Sequence, residues 1–148
     1  LSVIALALLC AGLGIRVYAV ERKPEAVALL EENQAKFGLT NLHIVEGVAP
    51  EALTDLPAPD RIFLGGTAGN MEAILRLALE KNPRARVVVT AVTLETIGEA
   101  VRCFDALGFA DADIVQIAAT RTRKAGRYHL MDAQNPVWIL SGEAACHG

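Results

Sequence analysis

Apolar and polar positions follow two different periods along this chain, and the switches between them divide it into short strands and helices. Leu1–Ala11, uncharged and apolar but for Ser2, reads as a helix stopped by Gly12 and Gly14. Arg16–Glu21 (RVYAVE), rich in β-branched and aromatic residues, reads as a strand. Pro24 then opens a helix that Gly38 closes, with Val27, Leu30 and Phe37 on one apolar stripe. Asn41–Val45 (NLHIV) predicts a second strand, followed by Gly47 and a short helical turn opened by Pro50. Leu56–Asp60 (LPAPD) is a break. Arg61–Leu64 (RIFL) predicts a third strand running into the turn Gly65-Gly66-Thr67-Ala68-Gly69. Asn70 is suited to cap a helix over Met71–Leu79 that stops before Asn82-Pro83. Arg86–Val92 (RVVVTAV) is a nearly continuous β-branched run, expected of a strand covered on both faces. Leu94, Ile97, Val101, Phe104 and Leu107 recur at helical spacing up to Gly108, with Thr93, or else Thr96 paired with Glu99, as the cap. Ile114–Ala118 and Val137–Ser141 are the last strands, joined by a long polar and basic loop.

Strand and helix in short alternation predict an α/β fold: a mostly parallel sheet with helices on both faces, one domain over residues 1–148. Ligands of such sheets gather beyond the carboxyl ends of the strands. Here those ends are Glu21, Glu46-Gly47, Gly65-Gly66 and Val92-Thr93.

Composition narrows the class. The 148 residues suffice for one core, since a chain of that size removes roughly 68–70% of its unfolded surface from water. At 53% hydrophobic it is not a disordered chain. A net charge of −3 gives no general attraction to nucleic acid or to acidic membranes. Cys10, Cys103 and Cys146 are scattered, without a CxxC pair or a His/Cys cluster, so neither a disulfide framework nor a metal site is expected. A reducing, cytoplasmic setting fits. Arg16 interrupts the first apolar run before the roughly 20 residues a membrane span requires. The first residue is Leu1, not Met, which suggests a chain that begins inside a longer product.

Several residues at the strand ends carry chemistry. Glu21, at the tip of a Rossmann-like strand, can accept two hydrogen bonds from a ribose diol, or it is simply a solvated charge beside Arg22 and Lys23. Such a carboxylate lies about 20 residues past a glycine-rich turn, and counting back from Glu21 lands on Leu1. The first strand and its turn are therefore expected upstream of Leu1, and the chain by itself is expected to be weakly folded or inactive. Gly47-Val48-Ala49 could read an adenine edge through its backbone, with apolar contact from Val48 or Ala49, or be an ordinary turn. The run from Gly65 through Gly66 and Thr67 to Gly69 lacks the lysine of a P-loop but would let a planar substrate approach backbone amides. Arg121, Arg123, Lys124 and Arg127 put four cations into seven residues of an otherwise acidic chain, which suits a polycarboxylate or phosphate partner, or else a solvated hairpin loop or a nucleic-acid contact.

The stretches RVYAVERKPEAVALLEENQAKFG, HIVEGVAPEAL, APDRIFLGG, VVVTAVTLETIGEA and NPVWILSG, in that order, resemble the precorrin-6Y methyltransferases (decarboxylating) of the cobalamin pathway. The likeness is closest to the domain that methylates carbon 15 and decarboxylates the ring C acetate, and it runs from about Arg16 to Gly142. It implies a class I S-adenosylmethionine-dependent methyltransferase fold, truncated before or within its first strand and glycine-rich turn. It also implies a precorrin tetrapyrrole as substrate, and a homo-oligomer, as in tetrameric relatives, or fusion to a second methyltransferase domain. Carried over by position, Glu21 matches the ribose carboxylate, and Gly47, Val48 and Ala49 the adenine-side turn. Gly65 matches the cofactor side of the next loop, with Gly66 and Thr67 on its substrate side. Many relatives have Asp where this chain has Val48, so here adenine would be read by backbone alone. On this resemblance Arg121, Arg123 and Arg127 would hold substrate carboxylates, while Thr93 or Glu95 orients the reacting edge. Two rival readings share these residues: another small-molecule or RNA methyltransferase on the same fold, and a non-catalytic Rossmann-like interaction module.

Overall fold

A computed structural model describes residues 3–66, 69–109 and 111–144. Glycines set where its helices stop, and so where the strands begin. α1 (Val3–Gly12), α2 (Pro24–Phe37) and α4 (Leu94–Ala106) are followed by Gly14, Gly38 and Gly108, whose φ angles are 83°, 62° and 75°. Past each glycine the chain makes the same pair of backward bonds. In α4 the Gly108 N–H reaches the Asp105 carbonyl and the Phe109 N–H reaches that of Phe104. This is a Schellman closure, and its usual apolar contact is present, with the Phe104 and Phe109 rings stacked 4.3 Å apart.

The described residues fall into two compact units. The first comprises Leu1–Pro59 and Asn70–Pro83. In it β1 (Val17–Glu21) and β2 (Leu42–Glu46) pair in parallel, with α2 as the crossover. Ala7, Ala11, Leu30 and Leu42 form its core, with Val17, Ala19 and Ile44 packed against them. Asn41 ties the layer together, donating from Nδ2 to the carbonyls of Ala11 (2.8 Å) and Ile15 (2.7 Å). A 3-10 turn, Glu51–Leu53, follows β2, and α3 (Met71–Lys81) closes the unit. At the end of α3 the Lys81 ammonium donates to the carbonyls of Leu53, Thr54 and Leu56, which fixes the segment after the 3-10 turn.

The second unit comprises Asp60–Gly69 and Arg84–Gly148. β3 (Arg61–Leu64) pairs in parallel with β4 (Arg86–Ala91), which pairs antiparallel with β8 (Val137–Glu143), itself antiparallel to the edge strand β5 (Asp113–Ile117). β6 (Thr120–Ala125) and β7 (Tyr128–Ala133) form a separate antiparallel pair. The sheets are thus mixed. The helix-connected pairs β1–β2 and β3–β4 are parallel, as expected, and the remaining pairs are antiparallel.

Four local expectations are corrected. The segment expected to be a long polar and basic loop is the β6–β7 hairpin, turned by Gly126 and Arg127. Its charges had masked an alternating strand pattern. β4 is not equally covered on both faces: Val87, Val89 and Ala91 are buried while Val88 and Thr90 are only half-buried. Phe37 is 60% exposed and Leu94 83% exposed, so neither joins the stripe assigned to it. Both lie at helix termini, where helical spacing no longer dictates burial. Asn70 occupies the N-cap position of α3, but its side chain does not cap. No helix of the described residues is long and apolar enough to cross a membrane.

Candidate functional site

The β1–β2 register sets Glu21 beside Glu46 at the carboxyl ends of the two strands. Glu21 is half-buried as a residue, and its exposed carboxylate folds back on its own chain, where Oε1 accepts the N–H groups of Arg22 (2.9 Å) and Lys23 (3.0 Å). Lys23 is the N-cap residue of α2, so the bonds hold the acid against the opening of that helix. Oε2 has no hydrogen-bond partner among the described residues, which leaves it free to accept from a ligand hydroxyl.

Directly alongside lies the turn Gly47-Val48-Ala49, held at each residue. The Gly47 N–H donates to the Glu21 carbonyl (3.0 Å), and the Val48 carbonyl accepts from the Ala52 N–H (2.9 Å). The Ala49 carbonyl accepts from Asn70 Nδ2 (3.4 Å). A Cβ on Gly47 would lie 2.9 Å from the Ala52 Cβ, so the 3-10 turn seats against a glycine and would be displaced by any side chain there. The expectation that all of this turn's backbone could read a base is narrowed, because the Gly47 N–H is consumed internally. The Val48 and Ala49 N–H groups donate to nothing among the described residues, and the Val48 side chain is 50% exposed. The turn therefore presents two donors and an apolar surface next to a carboxylate, which fits a nucleoside: ribose on the acid, base on the turn.

In the other unit, Gly65 and Gly66 follow β3 and Thr93 follows β4, at the same end of this parallel pair. A Cβ on Gly66 would meet nothing within 4 Å, so internal packing does not account for a glycine there. Thr67 lies outside the described residues. Thr93 caps α4, its Oγ1 accepting from the Thr96 N–H (3.2 Å) and lying 2.9 Å from Thr96 Oγ1. The competing Thr96–Glu99 box is therefore not used. Glu95, in the first turn of α4, is exposed. Thr93→Ala is expected to cost about 1 kcal/mol of stability and Thr93→Ser much less, measurable by denaturant unfolding, because only the hydroxyl caps.

The hairpin sorts the basic cluster. Arg121 and Arg123, two residues apart on β6, share one face with Tyr128 and Leu130, whereas Lys124 lies on the other face opposite His129. Arg121 sits opposite Asp132 in the register, yet neither arginine forms an ion pair among the described residues. Arg127 is separate: it occupies the turn, with its guanidinium 5.0 Å from the centre of the Tyr128 ring. Neither the place of Tyr128 beside Arg127 nor the bond from Asn70 to Ala49 is signalled by the sequence. The only local cue for Asn70 was its place just after the glycine run, and that cue pointed to a cap.

Comparison with known proteins gives these residues a context. Residues 2–143 match the family model of the precorrin methyltransferase domain. A probable cobalt-precorrin-6B C(15)-methyltransferase (decarboxylating) of Pyrobaculum calidifontis is 40% identical over 97% of this chain and 73% of its own length. Its counterpart in Methanothermobacter thermautotrophicus is 41% identical over 88% of this chain and 68% of its own. Among solved structures, a precorrin 8W decarboxylase from Methanobacterium thermoautotrophicum superposes with a TM-score of 0.81 at 38% identity, covering 94% of this chain and 75% of that one. A Thermotoga maritima S-adenosylmethionine-dependent O-methyltransferase shares only 17% identity at a TM-score of 0.68 over 90% of this chain and 52% of that one, a likeness of fold alone. The fold is that of the class I methyltransferases.

Proposed function

Because this chain belongs to the precorrin methyltransferase family, we infer that its reaction is C-methylation of a precorrin tetrapyrrole coupled to decarboxylation of the ring C acetate, in cobalamin biosynthesis. The observation that carries this reading is 40% identity, over nearly the whole chain, to a decarboxylating C(15)-methyltransferase.

The methyl donor on this reading is S-adenosylmethionine, which supplies an electrophilic methyl group on a sulfonium. Glu21 takes the ribose diol through Oε2, with its other oxygen already pinned by Arg22 and Lys23. The Val48 and Ala49 N–H groups meet an acceptor nitrogen of the adenine, and the exposed Val48 side chain lies against the ring. Two backbone donors left unspent beside the carboxylate support backbone reading of the base. Gly65 serves the donor side of its loop and Gly66 and Thr67 the substrate side, where an absent side chain admits a flat macrocycle. Arg121 and Arg123 receive peripheral carboxylates, and Arg127 adds a third cation at the hairpin tip.

No triad is required. In-line transfer to an electron-rich ring carbon gains chiefly from proximity and orientation. Loss of CO2 needs an electron sink, which the conjugated macrocycle supplies, while the protein holds the acetate arm in place. The Thr93 hydroxyl is committed to the α4 cap, so its part is to present Glu95, the group that orients the reacting edge. A wet, two-sided hairpin cannot enclose a substrate unaided. Together with the exposed Ile114, Val115 and Ile117 of edge strand β5, the exposed Leu130 and Met131 support association with a second copy of the chain.

The test is a single-turnover assay with methyl-labelled S-adenosylmethionine and the precorrin. One product carrying the label and lacking one CO2 is expected. Label transfer to RNA instead, or no transfer to the tetrapyrrole, would overturn the reading.

A further inference from the structure

Leu94 holds an apolar side chain out in water. It is 83% exposed, more than any other large apolar residue among those described. It is the first residue of α4, a position that favours proline or an acidic group, and it supplies neither. Val92 is also exposed, at 64%, but it stands where an apolar residue can staple onto the fourth residue of a helix, here Ile97. Val92 thus has a place in the helix opening, and Leu94 has none. The backbone beneath Leu94 is also fixed. Thr93 Oγ1 accepts from the Thr96 N–H at 3.2 Å and lies 2.9 Å from Thr96 Oγ1, which closes the turn on both sides of the leucine.

Its surroundings say what could cover it. Gly65 and Gly66 follow β3 at the same end of the β3–β4 pair, and a Cβ on Gly66 would meet nothing within 4 Å. β4 and β5 both run antiparallel to β8, so β5 ends there too. The β6–β7 hairpin begins three residues after Ile117, and the Gln134 N–H closes its foot by donating to the Ala119 carbonyl at 2.9 Å. Arg121 and Arg123 are therefore rooted at the same end of the sheet as Leu94. An apolar side chain, bare glycine backbone and two cations at one end of a sheet match a ligand with a broad apolar ring and a carboxylate rim. Glu95, exposed beside Leu94, repels the rim and leaves the ring as the part that can cover the leucine.

We propose that Leu94 is a substrate-contact residue: it packs against the ring of the tetrapyrrole and so sets a preference for a macrocycle over smaller polycarboxylates. This rests on the tetrapyrrole reading given above. The gain is the apolar area removed from water, and the capped turn that carries the leucine needs no reordering when the ligand arrives.

Leu94→Ser in the full protein tests this with two probes: uroporphyrin, a tetrapyrrole polycarboxylate, and benzenehexacarboxylate, a polycarboxylate on a small ring. Each is titrated into wild type and variant, beside a thermal melt. Wild type should prefer uroporphyrin. Leu94→Ser should bind uroporphyrin about five- to tenfold more weakly, in line with partial burial of one leucine, and benzenehexacarboxylate within about twofold of wild type. Leu94→Met, which keeps the apolar volume, should restore uroporphyrin binding. The melting temperature should hold, since so exposed a side chain supports little of the fold. Unchanged uroporphyrin affinity in Leu94→Ser, or an equal loss for both probes, would overturn the proposal. So would dissociation of an oligomer by Leu94→Ser with uroporphyrin binding intact, because the leucine would then be a contact between copies. Should Leu94→Ser fold poorly, Leu94→Gln, which keeps the length of the side chain, is read by the same ratio. Alanine at both Arg121 and Arg123 distinguishes the two failures. If that double variant loses uroporphyrin affinity while Leu94→Ser does not, only the role of Leu94 is wrong. If neither loses it, or wild type binds no uroporphyrin, the tetrapyrrole reading falls and this inference with it.

Discussion

Alanine at both Arg121 and Arg123 is expected to weaken binding of the tetrapyrrole substrate by about 10- to 100-fold while S-adenosylhomocysteine affinity stays at its wild-type value. The two arginines stand on one face of β6 with their Cα atoms about 6–7 Å apart by strand geometry, a spacing suited to separate carboxylates on a macrocycle rim. Each is exposed, and neither has an ion-pair partner among the described residues, so little protein structure depends on them. Exposure also limits the gain. A solvated ion pair contributes about 0.2–1 kcal/mol, rising toward about 1.5–3 as the bound ligand excludes water. Two contacts between those limits give the stated range. The effect should shrink in high salt, because the attraction is screened. Titration of the substrate analogue into wild type and double variant at two ionic strengths checks this, and equal affinities would remove the hairpin from the substrate site. Lys124→Ala is the internal control: it lies on the opposite face and should bind the substrate within about twofold of wild type if the face assignment holds.

How far these residues could be read in advance depended on how local their cause was. Helix stops at Gly14, Gly38 and Gly108 were legible because a positive φ is a property of one residue and its two neighbours. The parallel pairs β1–β2 and β3–β4 followed from the helices that connect them. Glu21 was legible by its place at a strand tip. Its two bonds to Arg22 and Lys23 were not foreseen, although both partners are adjacent in sequence, because a free acid and a folded-back acid share one pattern.

The errors came where distant parts of the chain decide. Asn70 had a strong local preference for capping, and a carbonyl 21 positions away overrode it. In the hairpin, Thr120, Thr122 and Tyr128 favour strands, but Arg121, Arg123 and Lys124 between them gave the segment the composition of a loop. Only the pairing of β6 with β7 across Gly126 resolves the conflict, and it also separates Lys124 and Arg127 from the two arginines that share a face. The carboxylate and the basic cluster were thus visible as candidates, while their division into a pinned acid, a donor turn and a two-arginine face was not.

Glu21→Gln in the full protein, titrated calorimetrically with S-adenosylhomocysteine, addresses the ribose assignment most directly. The amide keeps the size of the side chain and one oxygen able to accept from the Arg22 and Lys23 N–H groups, so the opening of α2 and the melting temperature should be preserved. What disappears is the charge and the second acceptor facing the diol. Hydrogen bonds to a charged group contribute about 1.5–3 kcal/mol, so affinity should fall by about 10- to 100-fold. A Glu21→Gln protein that binds S-adenosylhomocysteine as tightly as wild type would contradict the assignment of this carboxylate to the cofactor.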